Sequence, residues 1–217
     1  MHLSRLTLNA RHRQAQSDLR NPYDLHRSLC FAWADEGEAL PEGERPLWRL
    51  DGEHPPVVLV QSRCAPDWGR LTERHPGYLD TFRVTAFDEA RLGALSLSDT
   101  SYRFRLRANP TVTKRAEREG GARDQKPKRY GLYSADAQAG WLIAQGQRGG
   151  FTPERFEITH GERLHARKGG ARVTLSAATF EGVLRVTDPQ RLRSALQGGI
   201  GHGRAFGFGL LSLAPLD

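Results

Sequence analysis

Cysteine is scarce in this sequence, and long apolar runs are absent. Its two cysteines, Cys30 and Cys64, are too few for a four-ligand zinc site or a disulfide framework. No stretch approaches the roughly 18 apolar residues that a membrane-spanning helix needs. The first residues alternate between apolar and polar types, which is typical of a strand and not of a signal peptide. We therefore expect a cytoplasmic protein that uses no metal and no cofactor.

Acidic residues are too few to balance the basic ones, and the imbalance is local. The 217 residues contain 32 Lys and Arg against 25 Asp and Glu, which gives a net charge of +7. Residues 103–129 alone contain ten basic and three acidic residues, so this segment holds the whole excess. A clustered excess attracts polyanions, and we favour nucleic acid over a solvated arm without a partner. The candidate RNA-binding residues at its end are Lys126, Lys128 and Arg129.

Two similar series of strands and helices follow each other along the chain. In the first half the patterns predict strands at 3–9, 46–51, 56–62 and 80–87, and helices at 22–34 and 66–73. In the second they predict strands at 101–108, 151–159, 177–187 and 206–213, helices at 134–146 and 189–197, and a hairpin at 163–175. Each half has the ferredoxin-like order βαββαβ, in which two helices cover one face of a four-stranded sheet. We predict an α+β fold of two such domains, 1–95 and 96–217, with a basic β-hairpin inserted in the second.

The other face of each predicted sheet is open, as in many RNA-binding domains. The strand at 101–108 alternates strictly and places Arg103, Arg105 and Arg107 on one face. A generic RNA-recognition module carries aromatic side chains there for base stacking. Three arginines instead favour binding to phosphate.

A glycine-rich segment lies near the end of the chain. Residues 198–209 include six glycines, but the spacing fits neither a dinucleotide fingerprint nor a Walker motif. Glycines let backbone N–H groups approach an anion, and the alternative is a tight passage from helix to strand. The candidate phosphate-facing residues are Gly199, Gly201, Gly203 and Arg204.

Three segments of the chain carry a family resemblance. NPYDLHRSL at 21–29, YRFRLRANP at 102–110 and GGIGHGRAFGFGLLSLAPL at 198–216 closely resemble the CasE family. With FEGVLRV at 180–186, the resemblance spans essentially the whole chain. The members are endoribonucleases of Cascade-type CRISPR systems that cut repeat RNA into guide RNAs. The chain departs from the family at His202 and Gly203, which leaves the role of His202 open.

The resemblance implies a fold, an activity and two catalytic residues. The fold is tandem ferredoxin-like. The activity is metal-independent cleavage beside an RNA stem-loop, which leaves a 2′,3′-cyclic phosphate and a 5′-hydroxyl. The enzyme then stays on the product hairpin as a subunit of the surveillance complex. The family's catalytic pair falls on Tyr23 and His26 of this chain.

The residue types independently suit this chemistry. Tyr23 and His26 are three apart, so they are neighbours on one helical face, at the rim of its apolar stripe. Histidine can remove or donate a proton near neutral pH, and tyrosine can orient the sugar or phosphate. Without the resemblance, a surface histidine on an amphipathic helix is the simpler interpretation. Arg27 either holds phosphate or is an ordinary exposed arginine.

The predicted hairpin presents basic residues on a protruding ribbon, namely Arg163, Arg167, Lys168 and Arg172. A ribbon can grip the phosphates of an RNA stem, and the alternative is a solvated turn. Our leading hypothesis is an endoribonuclease that matures CRISPR RNA. The alternative is a noncatalytic RNA-binding scaffold subunit of such a complex, and the Tyr23 and His26 pair favours the enzyme.

Overall fold

The computed structural model describes residues 1–88, 93, 98–114 and 128–216. Its first antiparallel sheet has the strand order β2-β3-β1-β4. This is the ferredoxin-like order, and it confirms the predicted fold of the N-terminal half. The elements are β1 (His2–Leu8), α1 (Arg13–Arg20), α2 (Pro22–Cys30), β2 (Leu47–Glu53), β3 (Pro56–Ser62), α3 (Trp68–Arg74) and β4 (Leu79–Ala86).

The second sheet repeats this topology. Its strands lie in the order β10-β5-β9-β8, which is the same ferredoxin-like arrangement. Its helices and strands are β5 (Ser101–Ala108), α4 (Ala135–Gly149), β8 (Phe151–Lys168), β9 (Ala171–Val186), α5 (Pro189–Gly198) and β10 (Leu211–Pro215). The predicted boundary near residue 95 lies outside the described residues and stays a prediction.

Helix α1 was not predicted, because its sequence lacks an apolar period. Of its eight residues only Ala15 and Asp18 are buried, so no apolar stripe marks it. Asn21 and Pro22 separate it from α2, where proline occupies the first helical position as expected. The predicted helix 22–34 is too long, since α2 ends at Cys30.

A single long hairpin contains three elements that were predicted separately, the strands 151–159 and 177–187 and the hairpin 163–175. Strands β8 and β9 run without interruption from Phe151 to Val186 and pair antiparallel up to their tip at Gly169 and Gly170. The polar THGE stretch at 159–162 looks like a turn in the sequence, yet the register merely shifts between Ile158 and His160. The insertion is therefore an extension of the sheet itself.

Two further differences concern irregular segments. The closing strand covers 211–215 and not 206–213, because a short 3₁₀ turn, Arg204–Phe206, a left-handed Gly207 and three residues without regular structure precede it. A small two-stranded sheet pairs β6 (Thr111–Lys114) with β7 (Lys128–Gly131), where no strand was predicted. Residues 115–127, including Lys126, lie outside the described residues.

The two sheets contact each other through buried polar side chains. Arg49 on β2 is ion-paired with Asp51 and donates to the backbone carbonyl groups of Arg105 and Leu210, at 3.1 and 3.2 Å. Gln61 on β3 donates to the carbonyl group of Leu196 at 2.6 Å. These bonds tie the N-terminal sheet to β5, α5 and the segment before β10.

The open sheet face predicted for phosphate binding is occupied by ion pairs. Arg105 pairs with Glu181 at 2.8 Å, and Arg107 pairs with Glu162 at 3.5 Å. Arg105 also lies 3.7 Å from Asp51 of the first sheet. These carboxylates pair with Arg105 and Arg107, and the expectation that the arginines of β5 bind phosphate stays a prediction. Within the described ranges, no helix is long and apolar enough to cross a membrane.

Candidate active site

Helix α2 carries the predicted catalytic pair on a half-buried face. Leu25 and Leu29 are buried in the core of the N-terminal half and fix the rotation of the helix. This rotation leaves Tyr23 and His26 partly buried and Arg27 exposed. The predicted position of the pair, at the rim of the apolar stripe, is confirmed.

The imidazole of His26 has no strong hydrogen-bond partner among the described residues. Its Nδ1 is buried without a partner, and its Nε2 lies 3.8 Å from the thiol sulfur of Cys30, one helical turn away. A buried polar atom left unpaired costs about 1–3 kcal/mol, so a purely structural histidine would normally be better satisfied. The unpaired nitrogen therefore makes His26 a candidate for proton exchange with a ligand.

The surroundings of His26 favour its neutral form. Burial, and to a smaller extent the positive charge of Lys168, lower the pKa of His26 from 6.5 to about 4. The imidazole is therefore neutral at pH 7 in the free protein. In this state it can accept a proton. Because Lys168 acts on His26, the hairpin tip lies close to α2.

The hairpin tip rests on the start of α2. The side-chain amide of Asn21 donates to the backbone carbonyl of Arg167 at 3.1 Å and accepts from its N–H at 3.1 Å. The ammonium of Lys168 lies 5.3 Å from the centre of the Tyr23 ring. This cation was predicted to grip an RNA stem, but it lies beside Tyr23 and His26.

The two faces of the hairpin tip differ in chemistry because side chains alternate along a strand. On the inner face, Leu164, Ala166, Val173 and Leu175 pack with Tyr23, Phe206 and Phe208. Lys168 continues this face at its end. On the outer face, Arg167 lies directly opposite Arg172, and His165 lies opposite Thr174. Arginines 167 and 172 are therefore turned away from the catalytic pair.

The outer face borders a cleft that sequence analysis did not predict. The cleft, of about 640 Å³, lies between the hairpin and the junction of α1 and α2. Arg20, Arg167 and Arg172 line it together with His165. Arg20 gave no signal in the sequence, because the short helix that carries it was not predicted.

The glycine-rich segment supports the other side of α2. Phe206 lies in its 3₁₀ turn and packs on Tyr23, with ring centres 5.8 Å apart. A Cβ atom on Gly199 would lie 2.7 Å from Leu47, and one on Gly203, at φ +95°, would lie 2.9 Å from Phe208. Gly201 similarly packs on Trp141. The structure therefore agrees with our alternative interpretation, in which these glycines allow a tight passage from helix to strand. Their contact with RNA stays a prediction.

The remaining predicted RNA-binding residues lie in several places. Arg27 is exposed and pairs with Glu36 at 2.6 Å. Arg163 lies 4.7 Å from the centre of the Tyr133 ring. Burial lowers the pKa of His202, as do the nearby charges of Arg129 and Arg204. Arg129 and Arg204 thus form one basic cluster around His202, and Lys128 is exposed next to it on β7.

A metal centre finds no support in the part of the chain that the structure describes. No group of three or more histidine, cysteine or acidic side chains there is arranged to hold an ion.

The free thiols favour the protonated form. Burial raises the pKa of Cys30 to about 11, and the negative charge of Glu44 adds to this shift. Cys30 is therefore a neutral neighbour of His26.

Comparison with known proteins decides the family. The sequence profile described as "CRISPR associated protein" matches residues 1–215. The chain belongs to this family of CRISPR-associated proteins. A relative from Thermus thermophilus, "CRISPR-associated endoribonuclease Cse3", is 39% identical to this chain in an alignment of 236 positions, gaps included. The alignment covers 99% of this chain and 100% of the relative.

Two more comparisons agree with this membership. The Escherichia coli protein "CRISPR system Cascade subunit CasE" is 37% identical over 208 residues, 91% of this chain and 94% of the relative. A solved structure of Thermus thermophilus Cse3, bound to an RNA representing a pre-cleavage complex, superposes with a TM-score of 0.79 at 38% identity. That match covers 99% of this chain and 98% of the other. The predicted resemblance to the CasE family is confirmed.

Proposed function

We propose that this protein is a metal-independent endoribonuclease that cuts CRISPR repeat RNA next to a stem-loop. One observation carries the proposal. An imidazole whose Nδ1 has no hydrogen-bond partner among the described residues, a tyrosine, and a lysine from the opposite half of the chain meet at the tip of a basic hairpin. Relatives covering the whole chain include a named CRISPR endoribonuclease, which supports this assignment.

The proposed reaction uses the RNA's own 2′-hydroxyl as nucleophile. Neutral His26 removes the proton from this hydroxyl, and the 2′ oxygen then attacks the adjacent phosphorus. The bond from phosphorus to the 5′ oxygen breaks, which leaves a 2′,3′-cyclic phosphate and a 5′-hydroxyl. Lys168 stabilises the negative charge that develops on the phosphate and can donate a proton to the leaving oxygen. Tyr23 orients the sugar or phosphate between Lys168 and Phe206.

We further propose that the outer face of the hairpin holds the RNA stem. Arg167 and Arg172 border the cleft beside α1, where they can contact phosphates without reaching His26. Arg163, Lys128, Arg129 and Arg204 extend the candidate RNA surface, with the glycine loop supporting Tyr23 from behind. Lys126 stays a predicted RNA-binding residue. The product hairpin stays bound, and the protein serves as a subunit of a Cascade-type complex in the cytoplasm. The name of the Escherichia coli relative supports this partner.

Incubation with the host's own repeat RNA tests the proposed function. We expect a single cut beside the stem, with a cyclic phosphate on one product, and the same rate in excess EDTA. A two-metal nuclease would lose activity, because divalent ions stabilise both oxygens of its displacement. Loss with chelator and recovery with magnesium would contradict the mechanism. Tight binding without any cut would favour the scaffold hypothesis.

The neighbouring residues Lys168 and Arg167 allow a matched test of the two hairpin faces. Lys168→Ala is expected to lower the single-turnover rate at saturating protein by about 100-fold, because its charge acts on the transition state. Arg167→Ala should leave this rate unchanged. It should reduce the slope of log affinity against log salt by about 0.8, since one phosphate contact is lost. Equal effects of the two variants on rate would contradict the assignment of Lys168.

A further inference from the structure

Asn21 occupies a helix-capping position but does not cap its helix. It is the N-cap residue of α2, where an asparagine oxygen commonly accepts from the second or third N–H of the helix. Its side chain makes no such bond. The amide is instead turned towards a strand that lies 146 residues further along the chain.

The Asn21 amide makes three hydrogen bonds in this arrangement. Its oxygen accepts from the N–H of Arg167, and its nitrogen donates to the carbonyl of the same residue, both at 3.1 Å. The second proton of the nitrogen goes to the carboxylate of Asp24 at 2.7 Å. Because one side chain holds both backbone groups of one residue, the contact fixes a single register of the hairpin on α2.

Beyond Ala166 and Val173, which pack in the apolar cluster with Tyr23 and Phe206, the end of the hairpin has little other support among the described residues. An added Cβ atom on Gly169 or Gly170 would meet nothing within 4 Å, and Lys168 is itself exposed. Lys168 directly follows the residue that Asn21 holds. The position of its ammonium over Tyr23 therefore depends on where Arg167 is anchored.

We propose that Asn21 is a positioning residue that anchors the hairpin tip so that Lys168 reaches the catalytic pair. The inference rests on the proposed function, since it assigns Asn21 to the same reaction. Asn21 contacts neither His26 nor the reacting atoms, and it acts through the backbone of Arg167. Cleavage thus depends on a contact between the N-terminal half, which supplies His26, and the C-terminal half, which supplies Lys168.

Asn21→Ala and Asn21→Asp together separate anchoring from capping. Both are expected to lower the single-turnover rate at saturating protein by about tenfold, because two hydrogen bonds to Arg167 are lost or weakened. Aspartate caps helices as well as asparagine does, but it cannot donate to the carbonyl of Arg167. Full activity of Asn21→Asp would show that Asn21 acts as a helix cap, and this result would overturn the proposal.

Asn9→Ala is the matched control for general loss of stability. The amide of Asn9 also makes one donor and one acceptor bond to the backbone, to Gly77 and Arg11, away from the hairpin. This variant should cut RNA at the normal rate. A tenfold loss in Asn9→Ala as well would show that the effect of Asn21 reflects stability alone.

A double-mutant cycle shows whether Asn21 acts through Lys168. In a Lys168→Ala background, Asn21→Ala should change the rate by less than about twofold, because the group it positions is gone. Independent effects that multiply would overturn the proposal. Amide hydrogen exchange at residues 164–172 of the free protein should also accelerate in Asn21→Ala but not in Asn9→Ala. If the unchanged protein fails to cut RNA, the proposed function fails, while hydrogen exchange still decides whether Asn21 anchors the tip.

Discussion

Replacing His26 by alanine is expected to abolish cleavage of the repeat RNA while its affinity for the RNA stays nearly unchanged. Proton transfer acts only in the transition state, so its loss lowers the rate and not the binding. General acid–base catalysis contributes about 10²–10⁴-fold, and we expect a decrease of about 10³-fold in the single-turnover rate. His54→Ala is the control, because His54 is exposed in the turn between β2 and β3. Normal cleavage by His26→Ala would refute the assignment.

The pH dependence of the unchanged protein tests the direction of proton transfer. The pKa of His26 is lowered to about 4, so the fraction of neutral imidazole falls only as the pH approaches that value. A general base must be neutral, and the ratio of rate to dissociation constant should therefore be flat from pH 7 down to about pH 5. A general acid must be protonated, and the same ratio would then rise tenfold for each unit of decreasing pH over that range. A rise of this kind would contradict the role of base.

Local patterns in the sequence predicted most of the fold because they report local physics. The strict alternation of residues 101–108 identified β5, whose Tyr102, Phe104 and Leu106 are buried. The predicted helices at 134–146 and 189–197 begin after Ser134 and Asp188, whose side chains accept from backbone N–H groups at the helix start. Helix α1 was not predicted from the sequence because its buried positions are an alanine and an aspartate. Asp18 is stabilised there by hydrogen bonds from Gln14 and Tyr78, which no local pattern reveals.

The site was predicted in part, and the limit lies in contacts between the two halves. The spacing of Tyr23 and His26 follows from helical geometry alone. The position of Lys168 depends on which hairpin face packs against α2. The sequence did contain a signal for it, because every second residue of the two hairpin strands is apolar and Lys168 lies at the end of this apolar face. The residues of this face are Leu164, Ala166 and Lys168 on β8 and Ala171, Val173 and Leu175 on β9. The bond between Asn21 and Arg167 had no local signal, because it joins two residues far apart in the chain.

Glycines illustrate the same limit. Their density at 198–209 favoured backbone contact with phosphate, but the structure surrounds several of them with Leu47, Trp141 and Phe208. A glycine that accommodates a neighbouring side chain and one that accommodates a phosphate look identical in sequence. The packing of the 3₁₀ turn on Tyr23 connects this segment to α2.

A change in the RNA alone tests the identity of the nucleophile. When the nucleotide upstream of the scissile phosphate is replaced by its deoxy form, the attacking 2′ oxygen is missing, and cleavage should stop even at saturating protein. The stem keeps its A-form shape and all its phosphates, so binding by the hairpin arginines should survive. A nuclease that activates water takes its nucleophile from solvent and would still cut this RNA. Single-turnover assays and gel shifts on the same modified RNA separate the two mechanisms, with a deoxy substitution inside the stem as the control. Efficient cutting at the modified position would refute the cyclic-phosphate route, whatever the His26 variant does.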